Sequence, residues 1–109
     1  MKNIAFLALP AAFVLAVTPN LLAADGKAVY ADNCTKCHGD DGKGQTKMGL
    51  KLQARDYSDA KVQDSFTDAE ALKAIKDGMK KDDKTLMKPS ELTEDDIKAS
   101  IAYLRTLKK

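Results

Sequence analysis

Both cysteines of the chain and its only histidine fall within five residues, Cys34-Thr35-Lys36-Cys37-His38. Residues at i and i+3 share a face of a helical turn, so the two thiols project side by side. The next residue is rotated by about 100°, which swings the imidazole away from that edge. Structural zinc requires four ligands; only three are available, and two of them are adjacent in sequence. Thioredoxin-like chemistry requires a strand before the motif and βαβ units around it, whereas the preceding segment reads as helical. The spacing fits covalent haem attachment: two thiols for the vinyl groups along one porphyrin edge, and a neutral imidazole for the iron.

Export fits the same chemistry. Lys2 precedes Ile4 to Val17, a run of 14 residues with no charged or hydrogen-bonding side chain. That length suits the apolar region of a signal peptide, since a spanning helix requires about 20 apolar residues. Thr18, Pro19 and Asn20 break the run, and Leu21-Leu22-Ala23-Ala24 supplies small residues for cleavage after Ala23 or Ala24. The expected organisation is a signal peptide over 1–24 and one domain over 25–109, with an uncleaved membrane anchor as the alternative. Removing 24 residues from 109 leaves 85, and Lys2 is the only charged side chain lost, so the formal charge of +2 falls to +1. Such a balance excludes a strongly basic nucleic-acid binder. So short a chain buries little apolar surface and gains from a cofactor at its centre.

The mature sequence reads as all-α. Asp25 caps a helix over Gly26 to Asn33. Gly39-Asp40-Asp41-Gly42-Lys43-Gly44 is a loop by composition. Met48 to Leu52 shows no clear periodicity, and Asp56-Tyr57-Ser58-Asp59 reads as a turn with a short helical piece after it. Thr67 and Glu70 form a capping-box pattern. Leu72, Ile75 and Met79 are spaced for one helical face, with Gly78 as a C-terminal stop. Thr93 opens a last helix, with Glu94, Asp95 and Asp96 at its positive end and Ile97, Ile101 and Leu104 as its stripe.

On these residues the chain resembles the small monohaem class I cytochromes c over most of 25–109. Gly26 and Tyr30 match the family's glycine and aromatic on the N-terminal helix. Ile101-Ala102-Tyr103-Leu104 matches the C-terminal helix that crosses it. Gly49-Leu50-Lys51-Leu52 resembles the Gly-Pro-x-Leu stretch on the histidine side of the haem, and Met87-Lys88-Pro89 resembles the loop that brings methionine to the other side. The resemblance implies about three to five helices around one covalently attached haem c. Two departures stand out. Leu50 replaces the proline whose carbonyl accepts the axial histidine N–H, so the ring that fixes φ is absent and the hold on His38 is looser. Ser100 stands where the family usually has leucine, which predicts either a weaker helix crossing or a closer one.

His38 is thus the expected iron ligand on one side, with Cys34 and Cys37 in thioether bonds. No second histidine exists, so thioether sulfur is the usual partner. Of Met48, Met79 and Met87, Met79 reads as core filler on its helical stripe and Met48 adjoins the histidine-side stretch. Met87 lies in a non-helical segment before Pro89, which biases Lys88 toward extended backbone, and is the expected ligand; an open or water-bound position stays an alternative. Arg55 and Tyr57 are candidates to pair the haem propionates, against an ordinary surface arginine beside a core tyrosine. Lys36, Lys43, Lys47, Lys80, Lys81, Lys84 and Lys88 flank these motifs, but Asp40, Asp41, Asp82 and Asp83 are interspersed, so they read as a solvated face.

The functional expectation is a periplasmic or otherwise exported electron-transfer protein, a monomer without a membrane span once cleaved, docking redox partner proteins at the haem edge. The alternatives are a haem enzyme or gas-binding protein with an open sixth position, and a haem subunit of a larger redox complex.

Overall fold

A computed structural model describes residues 25–109, and the proposed signal segment lies outside the described residues. In chain order the elements are α1 (Gly26–Asn33), α2 (Thr35–His38), α3 (Lys47–Leu52), α4 (Ala60–Gln63), α5 (Asp68–Asp77), β1 (Met79–Lys81), β2 (Lys84–Met87) and α6 (Glu94–Arg105). Two of the six helices are four-residue turns. The four longer ones fall within the expected count, and the fold is the small helical one anticipated.

Local chemistry sets most of the helix ends. The Asp25 carboxylate accepts from the backbone N–H groups of Lys27 and Ala28 at the start of α1. At α5, Thr67 Oγ1 accepts from Glu70 N at 3.0 Å while Glu70 accepts from Thr67 N at 2.8 Å, a complete capping box. Each such cap satisfies backbone donors that a helix start leaves free and contributes on the order of 1 kcal/mol. Thr93 caps α6 in the same way, accepting from Asp96 N.

The protein core forms where α1 crosses α6. Tyr30, Ile97 and Ile101 are its buried apolar side chains. A Cβ on Gly26 would overlap the Ala99 carbonyl oxygen and stand 2.9 Å from its carbon, so only glycine permits this approach. Tyr30 meets Tyr103 with ring centroids 5.3 Å apart. Ser100 is buried in α6 and donates to the Ile97 carbonyl at 2.8 Å. The close approach is made by Gly26 against Ala99, and Ser100 turns its hydroxyl back onto its own helix.

Two segments differ from the sequence reading. Lys47–Leu52 is a helix, because Thr46 Oγ1 accepts from Gly49 N and starts it. Met79 does not extend the α5 stripe. The helix ends at Asp77 with Gly78 as its cap at φ 81°, and Met79 passes into β1, 44% exposed. β1 and β2 form an antiparallel hairpin in which Met79 pairs with Met87, Lys80 with Thr85 and Lys81 with Lys84. Asp82 and Asp83 make its turn at φ 51° and 67°.

Candidate metal centre

The Cys-x-x-Cys-His segment opens directly off α1. The Cys34 N–H donates to the Tyr30 carbonyl and the His38 N–H to the Cys34 carbonyl, so the motif is wound into one helical turn. Both cysteines are half-buried, and neither is in a disulfide. Burial, and then the neighbouring Cys37, push the Cys34 thiol up to about 11. The turn is pinned on two sides. Tyr30 Oη donates to the Gly39 carbonyl at 2.7 Å, and burial raises this phenol well above its ordinary value. Thr46 Oγ1 points its hydrogen between the Lys36 and Cys37 carbonyls, at 2.7 and 2.9 Å.

Gly49 lies flat against this turn. A Cβ there would overlap the carbonyl oxygens of both Cys37 and Gly44. The glycine of the 49–52 stretch is therefore required by close approach of α3 to the motif. Leu50, in the place of the family's proline, is 66% exposed. Its carbonyl accepts from Gln53 N at 3.4 Å.

His38 is the most isolated polar group of the site. Its Nδ1 is buried with no hydrogen-bond partner among the described residues. Burial lowers its proton affinity below that of ordinary imidazole, which favours the neutral ring. No carbonyl of the 49–52 stretch accepts from this ring nitrogen. What the ring does touch is Tyr57, at 5.3 Å between centroids and 51° between planes. Tyr57 in turn meets the edge of Phe66 at 5.7 Å and 76°.

The other candidates are spread over three segments. Met87 is half-buried on β2, in a non-helical segment as expected, and Met48 is half-buried in α3. Arg55 is exposed and reaches Ser65 Oγ at 3.4 Å. Thus Tyr57 is brought to His38, and Arg55 has a neutral partner instead of the carboxylate of a surface pair. Burial raises the Tyr57 phenol, partly offset by Arg55. Lys80, Lys81, Lys84 and Lys88 are exposed beside Asp82 and Asp83, the mixed solvated face read from the sequence.

Sequence reasoning missed the braces behind Tyr57. The Tyr57 N–H donates to the Gly42 carbonyl at 2.7 Å. Gln63, buried, donates from Nε2 to the carbonyls of Tyr57 and Leu104, at 2.6 and 3.0 Å. Arg105 donates to Gln63, to the Phe66 carbonyl and to Asp68 Oδ1, and lies over the Phe66 ring at 4.2 Å. These partners lie about 40 positions apart in the chain, and no local pattern marks them.

The donor set and the cradle together fit a haem: paired thiols, an adjacent neutral imidazole, and a glycine that admits close backbone approach. Residues 23–108 match the cytochrome c family, and the chain belongs to it. It is similar to the solved KustC0563 c-type cytochrome, with 33% identity and a TM-score of 0.68, over 78% of this chain and 99% of that one. A stretch of 39 residues is 54% identical to the cbb3-type cytochrome c oxidase subunit FixPc of Rhizobium leguminosarum bv. viciae. A stretch of 44 residues is 48% identical to the subunit FixP of Sinorhizobium medicae. These matches span only 12% and 15% of the two subunits. The family carries covalently attached haem c, and Cys34 and Cys37 fit its attachment motif. Transfer of electrons through that haem is the chemistry of the fold.

Proposed function

We propose that the protein is an exported carrier of single electrons whose iron is held between His38 and Met87. The observation that supports it most is the pinned turn of Cys34, Cys37 and His38 with a neutral, buried imidazole. Cys34 and Cys37 hold the haem as thioethers, and the bound group supplies one-electron iron chemistry. His38 would hold the iron through its imidazole, whose Nδ1 is buried within the protein. Met87, on β2, would supply a soft sulfur ligand, which favours the reduced state. With His38 and Met87 both holding the iron, substrate would have no place on the metal, which separates a carrier from an enzyme. Arg55 serves the propionates, and partners dock at the haem edge of the monomer. The segment over 1–24 directs export, to the periplasm in a two-membrane cell.

A second reading is a haem subunit of a larger redox complex, favoured by the identity shared with FixP. It is separated from the first by size: a carrier purifies alone as a soluble monomer, and a subunit co-purifies with its complex.

The test of ligation is visible spectroscopy of both redox states with a redox titration. Met87→Ala is expected to lower the potential and abolish the sulfur-ligated spectrum, whereas Met48→Ala and Met79→Ala keep both. Loss of sulfur ligation in either of the latter variants, with Met87→Ala unchanged, overturns the assignment.

A further inference from the structure

The hold on His38 differs from what its neighbours in sequence provide. A metal-bound histidine ordinarily donates its second ring N–H to a carbonyl or carboxylate, which fixes the plane of the ring. Here Nδ1 is buried with no partner among the described residues, and the position that could carry a fixing proline is Leu50. The backbone of His38 is secured, since its carbonyl accepts from Gly44 N at 2.8 Å. Rotation of the side chain is what needs another restraint.

The geometry points to an aromatic stack as that restraint: we propose that Tyr57, backed by Phe66 and Arg105, sets the plane of the His38 ring by contact. The stack is continuous. His38 meets Tyr57 at 5.3 Å, Tyr57 meets Phe66 at 5.7 Å, and the Arg105 guanidinium covers Phe66 at 4.2 Å. Tilted and edge-on pairs at these distances are attractive and have preferred angles, so each ring limits the next. A cation over an aromatic face adds to the hold at the far end. The stack is also anchored. Tyr57 is bonded through its N–H to Gly42 and through its carbonyl to Gln63. Arg105 joins Gln63, Phe66 and Asp68. These bonds fix the Tyr57 backbone, and its ring is held between His38 and the edge of Phe66, so it resists a rotating imidazole. Tyr57 is thus a positioning residue that acts through its ring face, and Phe66 and Arg105 act through Tyr57.

This inference rests on His38 being an iron ligand, and its test separates the two. Intact mass and the visible spectrum of each purified holoprotein report whether haem is attached and histidine-ligated. The plane of the axial imidazole is read from the paramagnetically shifted haem methyl resonances of the oxidised form, whose order and spread follow ring orientation. Tyr57→Leu is expected to reorder or compress that pattern while mass and ligation stay as in the parent. Tyr57→Phe keeps the ring, removes the hydroxyl and is expected to restore the parental pattern. Phe66→Leu leaves Tyr57 in place and is expected to move the resonances in the same sense by less, which keeps the test open should Tyr57→Leu fail to fold. A parental pattern in both leucine variants overturns the proposal. So does a change in Tyr57→Phe as large as that in Tyr57→Leu, which assigns the role to the hydroxyl.

Discussion

The two sides of the candidate metal centre are built differently. The histidine side is enclosed. Tyr30, Thr46 and Gly49 close on the Cys34–His38 turn, and Gly26 lets α6 press against α1 behind it. The side proposed to supply methionine is a hairpin whose residues Met79 to Thr85 are all exposed. Only its base is fixed: Gly78 leaves no room for a Cβ beside Pro89 and the Met87 carbonyl, and Ser90 N donates to the Ile75 carbonyl at 3.0 Å. Stability is concentrated on the first side, and Met87, the proposed second ligand, sits on a lightly packed arm. Local opening starts where buried contacts are few, so on the proposed ligation Met87 is the ligand expected to exchange while the fold persists.

The largest effects are expected on the enclosed side. Cys34→Ala and Cys37→Ala each leave at most one thioether, and both are expected to lose most of the folded yield because the cofactor completes a small core. Intact mass after acid–acetone extraction of protein from a haem-attaching host reads this directly. The parent retains one haem, and two free thiols in it would contradict covalent attachment.

Next comes Met87→Ala. Its effect is expected in the redox readout and not in the fold: a lower potential, ready carbon monoxide binding to the ferrous form, and a stability loss below the roughly 2–5 kcal/mol of a deep-core methionine. Thermal unfolding of the two classes of variant breaks or sharpens the comparison. If Met87→Ala unfolds as badly as Cys37→Ala, the hairpin is not the independent arm described above.

Gly26→Leu tests the enclosing contact itself. The new side chain collides with the Ala99 carbonyl and the Tyr103 side chain, at an expected cost of about 1–3 kcal/mol, measured by denaturant unfolding. Parental stability would mean that the helix crossing is wrongly placed. The smallest effect is expected from Met79→Ala. The side chain is 44% exposed, so the change in stability is expected within about 0.5 kcal/mol, with no change in potential.

Legibility in the sequence followed the same division. Caps are local, so Asp25, Thr67 with Glu70, and Thr93 marked their helices, and the five-residue motif marked the attachment turn. Met79 was misplaced because helical spacing extended past Gly78, although a glycine cap ends a helix before the next residue can join its stripe. The pair Asp82-Asp83 was a usable hairpin signal, since aspartate tolerates the left-handed turn that joins such strands. α3 was hidden by Gly49, which weakens helical propensity and is kept for its approach to Cys37. The support of Tyr57 by Gln63, Phe66 and Arg105 had no sequence signal, because it depends on the folded contact between α6 and the segment before α5.

The central claim is that this chain closes both axial positions itself and therefore carries electrons. Carbon monoxide binding to the unmutated ferrous protein tests it most directly. The account predicts slow, substoichiometric binding, with fast binding appearing only in Met87→Ala. Fast, stoichiometric binding to the parent would mean an open iron position and would contradict the carrier reading in favour of a ligand-binding or catalytic haem.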